Sequence, residues 1–308
     1  MRATLIGNPS SGSGRGQRAL TVAAKVLADA GWEFDLVRTE EAGHARTAAA
    51  QAVEQGRQAV VVVGGDGTIN EVVNALANTS VAIGVIPAGT GNVFAREMGI
   101  PYDPRRACRM LLASRPIDVD LGRAFFLSGP GTAASRYFLC MGGVGFDAKV
   151  VQAISAGAKS RLGIWAYVFA ILKEAFRPPI SDLTIRLNGE TIDTKGWFLL
   201  VANAAYHAWR LKMCPGARMD DGLLDLRIFT HPGIPGYLQQ ILKAVLNPRS
   251  PDAGVFVRRF REVRIEADPP LPVQLDGDLQ GTTPITFAVA PLALRLLAPS
   301  RLTSPKRP

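Results

Sequence analysis

Four consecutive valines, Val60 to Val63, run directly into Gly64-Gly65-Asp66-Gly67, and a helical apolar pattern (Val72, Val73, Leu76) follows. An unbroken β-branched run bounded by glycine reads as a strand buried on both faces, which requires a parallel sheet covered by helices. Glycines at the strand end let a ligand approach the backbone. Amides at the start of the next helix point at an anion. One carboxylate, Asp66, among phosphate-friendly amides suggests a metal or a magnesium–nucleotide rather than bare phosphate. This is the geometry of a nucleotide site at the carboxyl end of a parallel strand.

The pattern recurs. Val81–Ile86 is a second apolar strand and ends in Pro87-Ala88-Gly89-Thr90-Gly91-Asn92; Thr4–Ile6 is a milder third and runs into Asn8-Pro9-Ser10-Ser11-Gly12-Ser13-Gly14. All three strand ends are expected on one edge of a parallel sheet, where glycine- and hydroxyl-bearing loops enclose a triphosphate. Asn8 and Ser11 fit the first phosphate-facing loop. Arg15 fits either phosphate neutralisation or a solvated surface.

Expected helices at Gln17–Ala30 and His44–Gln55 alternate with strands in the first third, predicting a doubly wound sheet. From about Ile117 short strands dominate: Arg136–Met141, Leu183–Leu187, Phe198–Ala202, Leu224–Thr230, Val255–Ala267, Val273–Leu275 and Ile285–Ala290. Helices interrupt at Ala148–Ser155, Arg161–Phe176 and Gly236–Leu246. The expected fold class is α/β: an N-terminal doubly wound parallel-sheet nucleotide domain over residues 1–116, then a mainly antiparallel domain over 117–290. Residues 301–308 read as a basic tail.

The net charge of +9 favours anionic partners. Nucleic acid gets little support: aromatics are 7% and no recognised binding motif is present. An anionic phospholipid surface explains the charge as well. Cys108, Cys140 and Cys214 lack metal spacing and read as buried thiols in a reducing compartment. A strand begins almost at once, so no signal peptide is expected. No stretch is long and apolar enough to span a bilayer. The expected location is cytoplasmic, with peripheral membrane contact; a homodimer stays open. His44, His207 and His231 form no triad with a nucleophile.

GGDGTINEV, PAGTGNVFA and NPSSG, continued by Gly142-Gly143-Val144-Gly145-Phe146-Asp147-Ala148, Asp221-Gly222-Leu223-Leu224-Asp225 and Leu275-Asp276-Gly277-Asp278, resemble the diacylglycerol kinase catalytic-domain family. That family includes bacterial lipid kinases and sphingosine and ceramide kinases. The motifs occur in the family's order over nearly the whole chain. The resemblance implies a β-sandwich second domain, with a segment at 291–300 returning to the first. It implies ATP and Mg2+ as cofactors and a lipid hydroxyl at a membrane surface as phosphate acceptor. It places nucleotide binding on Gly64, Gly65, Asp66, Gly67, Thr68, Ile69, Asn70 and Thr90, with Thr39 at the adenosine portion. A structural magnesium is implied at Asp221 and the carbonyls of Leu223 and Arg218.

Asp66 is otherwise a cap for the following helix, Thr39 a helix cap, and Asp221-Gly222 a plain turn. Relatives usually carry DGE where this chain has Asp276-Gly277-Asp278, so Asp278 takes the proton-acceptor place with about 1.5 Å less reach. Asp66 is the other catalytic candidate. After Asn203, where relatives often have glycines, stand Tyr206-His207-Ala208-Trp209-Arg210; Ile164–Phe169 fits an apolar wall for acyl chains or ordinary packing.

The function expected is an ATP-dependent lipid kinase, diacylglycerol kinase-like. Sphingoid-base or ceramide kinase, NAD kinase and a non-catalytic sensor are the alternatives. No counterpart of the NAD kinase GSTAYS-like segment is present. Gly14-x-Gly16-x-x-Ala19 fits a loose dinucleotide fingerprint, but the loop after Ile6 is too long for a Rossmann dehydrogenase.

Overall fold

The structure is a computed structural model and describes residues 1–129, 131–156, 171, 173–174, 180–207, 211–230 and 255–299. Most of the helix expected at 161–176, the helix expected at 236–246, the 164–169 segment, residues 208–210, His231 and the basic tail lie outside the described residues. Contacts divide the chain into two units: residues 1–121 with the segment from Pro291, and residues 122–290.

The first unit contains β1 (Arg2–Gly7), α1 (Arg15–Asp29), β2 (Glu33–Arg38), α2 (His44–Glu54), β3 (Ala59–Gly64), α3 (Asp66–Leu76), β4 (Ala82–Pro87), α4 (Val93–Glu97) and α5 (Pro104–Leu112). The strand order is β2-β1-β3-β4, every pair parallel. The central strands β3 and β4 are buried throughout. Val60 to Val63 are each 0% exposed, and each such side chain contributes about 1.5–3 kcal/mol by burial. α1 packs with α5 and α2 with α3, one pair on each face of the sheet. α2 presents Ala45, Ala48, Ala49 and Ala52 inward at helical spacing; these small side chains let it lie close to β1.

The second unit holds most of β5 (Arg115–Gly129), then β6 (Thr132–Phe138), β7 (Met141–Gly145), α6 (Phe146–Ala156), β8 (Ser181–Leu187), β9 (Glu190–Gly196), β10 (Phe198–Ala202), β11 (Tyr206–His207), β12 (Leu211–Lys212), β13 (Leu224–Phe229), β14 (Val255–Phe260), β15 (Glu262–Asp268), β16 (Pro272–Leu275) and β17 (Asp278–Thr282); β18 (Ile285–Ala298) begins in it. One antiparallel sheet runs β14-β13-β10-β7-β16-β17. The other contains β9, β8, β15 and the start of β18. Leu199, Val201, Leu226 and Val273 of the first sheet share one buried core with Ile185, Ile265 and Phe287 of the second. This is a β-sandwich.

Three sequence expectations are corrected. The boundary expected after residue 116 falls inside β5, which runs unbroken from Arg115 to Gly129. The strand expected over Val255–Ala267 is two: β14 pairs with β13, and after Arg261 the chain changes sheets so that β15 pairs with β8. The strand expected over Arg136–Met141 breaks at Leu139-Cys140, between β6 and β7. The expected return segment is the second half of β18, where Leu296 pairs in parallel with Ile83 of β4.

Candidate active site

The strand register brings the functional loops together. Gly7 of β1 lies opposite Arg38 of β2 and Val63 of β3, and Gly64 lies opposite Pro87 of β4. The loops that begin at Asn8, Thr39, Gly65 and Ala88 therefore leave one edge of the sheet. Short bonds extend the ladder into them: the amides of Thr39, Asn8 and Ala88 donate to the carbonyls of Gly7, Val63 and Gly64 at 2.8, 2.9 and 2.8 Å.

A cavity of about 450 Å³ opens at this edge, lined by Asn8, Ser11, Thr39, Gly65, Gly67 and Thr68, with Glu71 beside them. Asn8 Nδ2 donates to Thr68 Oγ1 at 3.3 Å, joining the first loop to the second. Gly65 stands at the N-cap of α3 without a side-chain cap, so first-turn amides remain for an anion. The second and third loops meet backbone to backbone. A Cβ on Gly89 would lie 2.5 Å from the Cα of Gly65. Two further devices fix the third loop. The buried Asn92 side chain accepts from the Gly89 amide at 2.9 Å and donates to the Gly89 carbonyl at 2.8 Å. Arg15 donates to the carbonyls of Gly12 and Gly89 at 2.9 and 3.1 Å. Arg15 thus fastens the first loop to the third, a role outside both sequence readings of it. Gly16 belongs to the start of α1, where a Cβ would strike the Asn8 carbonyl oxygen. Close packing, not a dinucleotide, accounts for that glycine.

Asp66 caps a helix, but not the one that follows it. Its Oδ1 accepts from the Phe94 amide at 3.2 Å, at the start of α4. Burial pushes its carboxyl above the usual aspartate range, and the amides of Val93, Phe94 and Asn92 oppose that shift. Its Oδ2 faces Gly91, where a Cβ would come within 3.0 Å.

The remaining expected nucleotide residues divide. Gly64 is buried at the end of β3. Ile69 is 0% exposed and its side chain belongs to the core. Asn70 is buried and accepts from Asn74 Nδ2 through its carbonyl and its side-chain oxygen at 2.9 and 3.1 Å. Thr90 lines a different cavity. Glu71, to which the motif reading gave no role, accepts from the Ala45 amide at 3.2 Å and so anchors α2 at the cavity.

In the second unit, Asp276 and Gly277 form the two-residue turn of the β16–β17 hairpin with φ of 48° and 92°, the turn type that Asp-Gly favours. The Asp276 carboxylate accepts from the amides of Leu139, Cys140 and Met141 at 2.6, 2.9 and 3.0 Å. Asn203 grips the same bend, donating to the Leu139 carbonyl at 2.8 Å. Asp278 is different: its side chain is 49% exposed and its Oδ2 accepts from Arg136 at 2.7 Å. The Gly142-Gly143 pair of β7 is a packing requirement. A Cβ on Gly142 would lie 2.6 Å from Phe287, and one on Gly143 would lie 2.4 Å from Asp147 Oδ2.

Asp221 turns back on its own loop, accepting from the Leu223 amide at 3.2 Å, and its other oxygen lies 3.6 Å from Arg259. Arg259 also approaches Asp225 at 3.5 Å. The Arg218 side chain pairs with Asp220, so only its carbonyl is offered to a cation. Arg227 also acts on Asp225, so the two carboxylates stand against two guanidinium groups, and a hard cation at Asp221 would have to displace Arg259. Among the described residues no cluster of three or more acidic, histidine or cysteine side chains has metal-binding geometry.

A family model for the diacylglycerol kinase catalytic domain matches residues 2–124, and one for the YegS C-terminal NAD kinase beta sandwich-like domain matches residues 141–298. A Pseudomonas putida protein named "Probable lipid kinase YegS-like" is 32% identical over 280 residues, covering 89% of this chain and 88% of that one. The "Diacylglycerol kinase" of Staphylococcus carnosus is 28% identical over 290 residues, covering 93% and 91%. In fold, a crystal structure of a Bacillus anthracis str. Sterne diacylglycerol kinase superposes with a TM-score of 0.75 at 21% identity, covering 98% of each chain. Yeast NADH kinase is a more distant likeness, with a TM-score of 0.52 at 12% identity, covering 97% of this chain and 83% of that one. Two family models in series, aligned relatives over nearly the full length and the loops at one sheet edge agree: the chain belongs to the diacylglycerol kinase catalytic-domain family.

Proposed function

We propose that this protein is an ATP-dependent lipid kinase, diacylglycerol kinase-like, that moves the γ-phosphate of ATP to the hydroxyl of a lipid presented at a membrane surface. The observation that carries this is the cavity at the carboxyl edge of the parallel sheet, lined by the hydroxyls of Ser11 and Thr68 at the uncapped start of α3; Asp66 is the first residue of that helix, with its carboxylate turned to the third loop. Amides and hydroxyls suit the phosphates, and Glu71 suits hydroxyl donors such as those of ribose. A magnesium ion carried in with the nucleotide would neutralise charge developing on the phosphates.

In the transfer, the lipid oxygen bonds to the γ-phosphorus as the bridge to the β-phosphate breaks, ADP leaves, and the hydroxyl proton passes to a base. Asp278 supplies that base through Oδ1, since Arg136 holds Oδ2. The net charge of +9 supports attraction to anionic phospholipid, and no helix among the described residues is long and apolar enough to cross a membrane.

Radiolabelled ATP is to be offered with diacylglycerol, sphingosine, ceramide, a polyprenol and NAD, the lipids in vesicles with and without acidic lipid. Label should enter a lipid, faster on acidic vesicles; label in NAD alone, or in nothing, overturns the reading. Asp278→Asn should lower kcat by about 100-fold while leaving ATP affinity nearly unchanged. Full rate in that variant reduces Asp278 to a turn residue.

The Asp221 turn supports a second, structural cation. Binding to the folded state alone raises stability by mass action. Added Mg2+ should therefore raise the melting temperature of the wild type but not of Asp221→Ala. Equal responses of the two assign the site to a plain turn.

A further inference from the structure

A second cavity in the first unit, of about 520 Å³, shares no lining residue with the nucleotide cavity. It lies between α1, the loop after β4 and the start of α5. Arg15, Arg18, Arg96 and Arg105 line it against a single carboxylate, Asp103. That carboxylate is already engaged, accepting from the Arg106 amide at 2.9 Å as the cap of α5. Arg15 is engaged too, by the loop carbonyls described above. Among the described residues, Arg18, Arg96 and Arg105 have no carboxylate partner. Arg96 is the informative one. Its Nη1 is buried with no hydrogen-bond partner among the described residues, and its guanidinium lies 5.6 Å from the centre of the Tyr102 ring. A buried guanidinium hydrogen with nothing to bond is costly and asks for an explanation. The positive end of the α5 dipole also meets this cavity at Pro104. The rest of the wall is the 88–92 loop, including Thr90, which the resemblance assigned to the nucleotide, and an apolar stretch formed by Ala19, Val22 and Pro87.

We propose that this cavity is a recognition site for a phosphomonoester, separate from the nucleotide pocket. The guanidinium groups of Arg96, Arg18 and Arg105 bind the phosphate oxygens, and the Ala19, Val22 and Pro87 wall takes the adjoining carbon skeleton. Planar guanidinium donors match phosphate geometry better than ammonium groups do. The site is defined by its own residues and does not need the kinase reading. If that reading holds, the lipid phosphate that the enzyme makes is the natural occupant, and the cavity senses product.

The test is calorimetric titration of the full chain with inorganic phosphate, glycerol 3-phosphate and dihexanoyl phosphatidic acid at fixed ionic strength, with and without a saturating non-hydrolysable ATP analogue. Saturable binding that persists beside the analogue is expected. Arg96→Gln should weaken it about tenfold or more, and the exposed pair Arg18→Gln with Arg105→Gln by a similar factor. The exposed pair keeps the test valid should Arg96→Gln fold poorly. Phosphatidic acid bound at least tenfold tighter than inorganic phosphate identifies a lipid source; equal affinities identify a soluble phosphate ester. Displacement by the ATP analogue, indifference to the arginine substitutions, or no saturable binding overturns the proposal. Loss of lipid turnover with phosphate binding intact would instead count against the kinase reading alone.

Discussion

Asp66→Asn is expected to reduce phosphoryl transfer by about 100-fold or more, the scale seen when one preorganised electrostatic group is removed from an active site, without reducing stability at neutral pH. Asparagine keeps one oxygen for the Phe94 amide; the support that the Val93 and Asn92 amides give the carboxylate is weakened, but burial outweighs it. What disappears is a carboxylate that burial disfavours. The sign follows from the raised value. The folded state binds the Asp66 proton more tightly than the unfolded state does. The cost of ionising it is absent below the unfolded value, grows as pH rises towards the folded value, and is constant above that. The Asn variant should therefore melt at or above the wild-type temperature at pH 7, and the difference should close as pH falls through that window. Steady-state turnover and thermal melts over pH check both halves. Near-wild-type turnover would remove Asp66 from the chemistry, and a large drop in melting temperature would make its role structural.

Asp276→Ala is expected to produce the largest loss of stability, about 3 kcal/mol or more. The carboxylate gathers three amides in one bend, and truncation leaves donors in a half-buried place with no acceptor, at about 1–3 kcal/mol each and not strictly additive. Asp276→Asn, with one acceptor oxygen and two competing donors, should fall between. Chemical denaturation with an unchanged m-value measures this directly; an Ala variant within about 0.5 kcal/mol of wild type, the range of an ordinary surface change, would refute the assignment. The two substitutions differ in kind: Asp66→Asn should separate activity from folding, whereas Asp276→Ala should not.

The parallel sheet was legible because its signals are local. Four valines against two glycines specify a buried strand and a tight exit, and three such exits imply a shared edge. The sandwich core was legible in part, since Leu183, Ile185 and Leu187 alternate with outward residues along β8. The change of sheets at Arg261 left a trace that strand-by-strand reading passed over: Phe260 and Val263 are both buried, three apart where a single strand requires two. The site's internal bonds were not legible. Asp66 finds Phe94, Arg15 finds Gly89, and Asp276 finds the 139–141 bend. These partners are 28, 74 and up to 137 residues apart, and no local period records such pairings. Asp276 and Asn92 stood inside motifs whose other residues drew attention. What marks them in hindsight is a non-glycine residue at positive φ, 48° in both cases, which asparagine and aspartate tolerate better than other side chains do.

The pairing of Leu296 with Ile83 bears on how the chain is made. A ribosome finishes β4 about two hundred residues before it reaches the strand that flanks it. Throughout that interval the growing first unit holds β1, β2 and β3 but presents the far side of β4 as an open edge, the feature that invites pairing with another chain. The sandwich is synthesised during the same interval. Vectorial synthesis therefore works against early completion of the unit that carries the nucleotide loops. Its closure is a late event, made when the last strand docks.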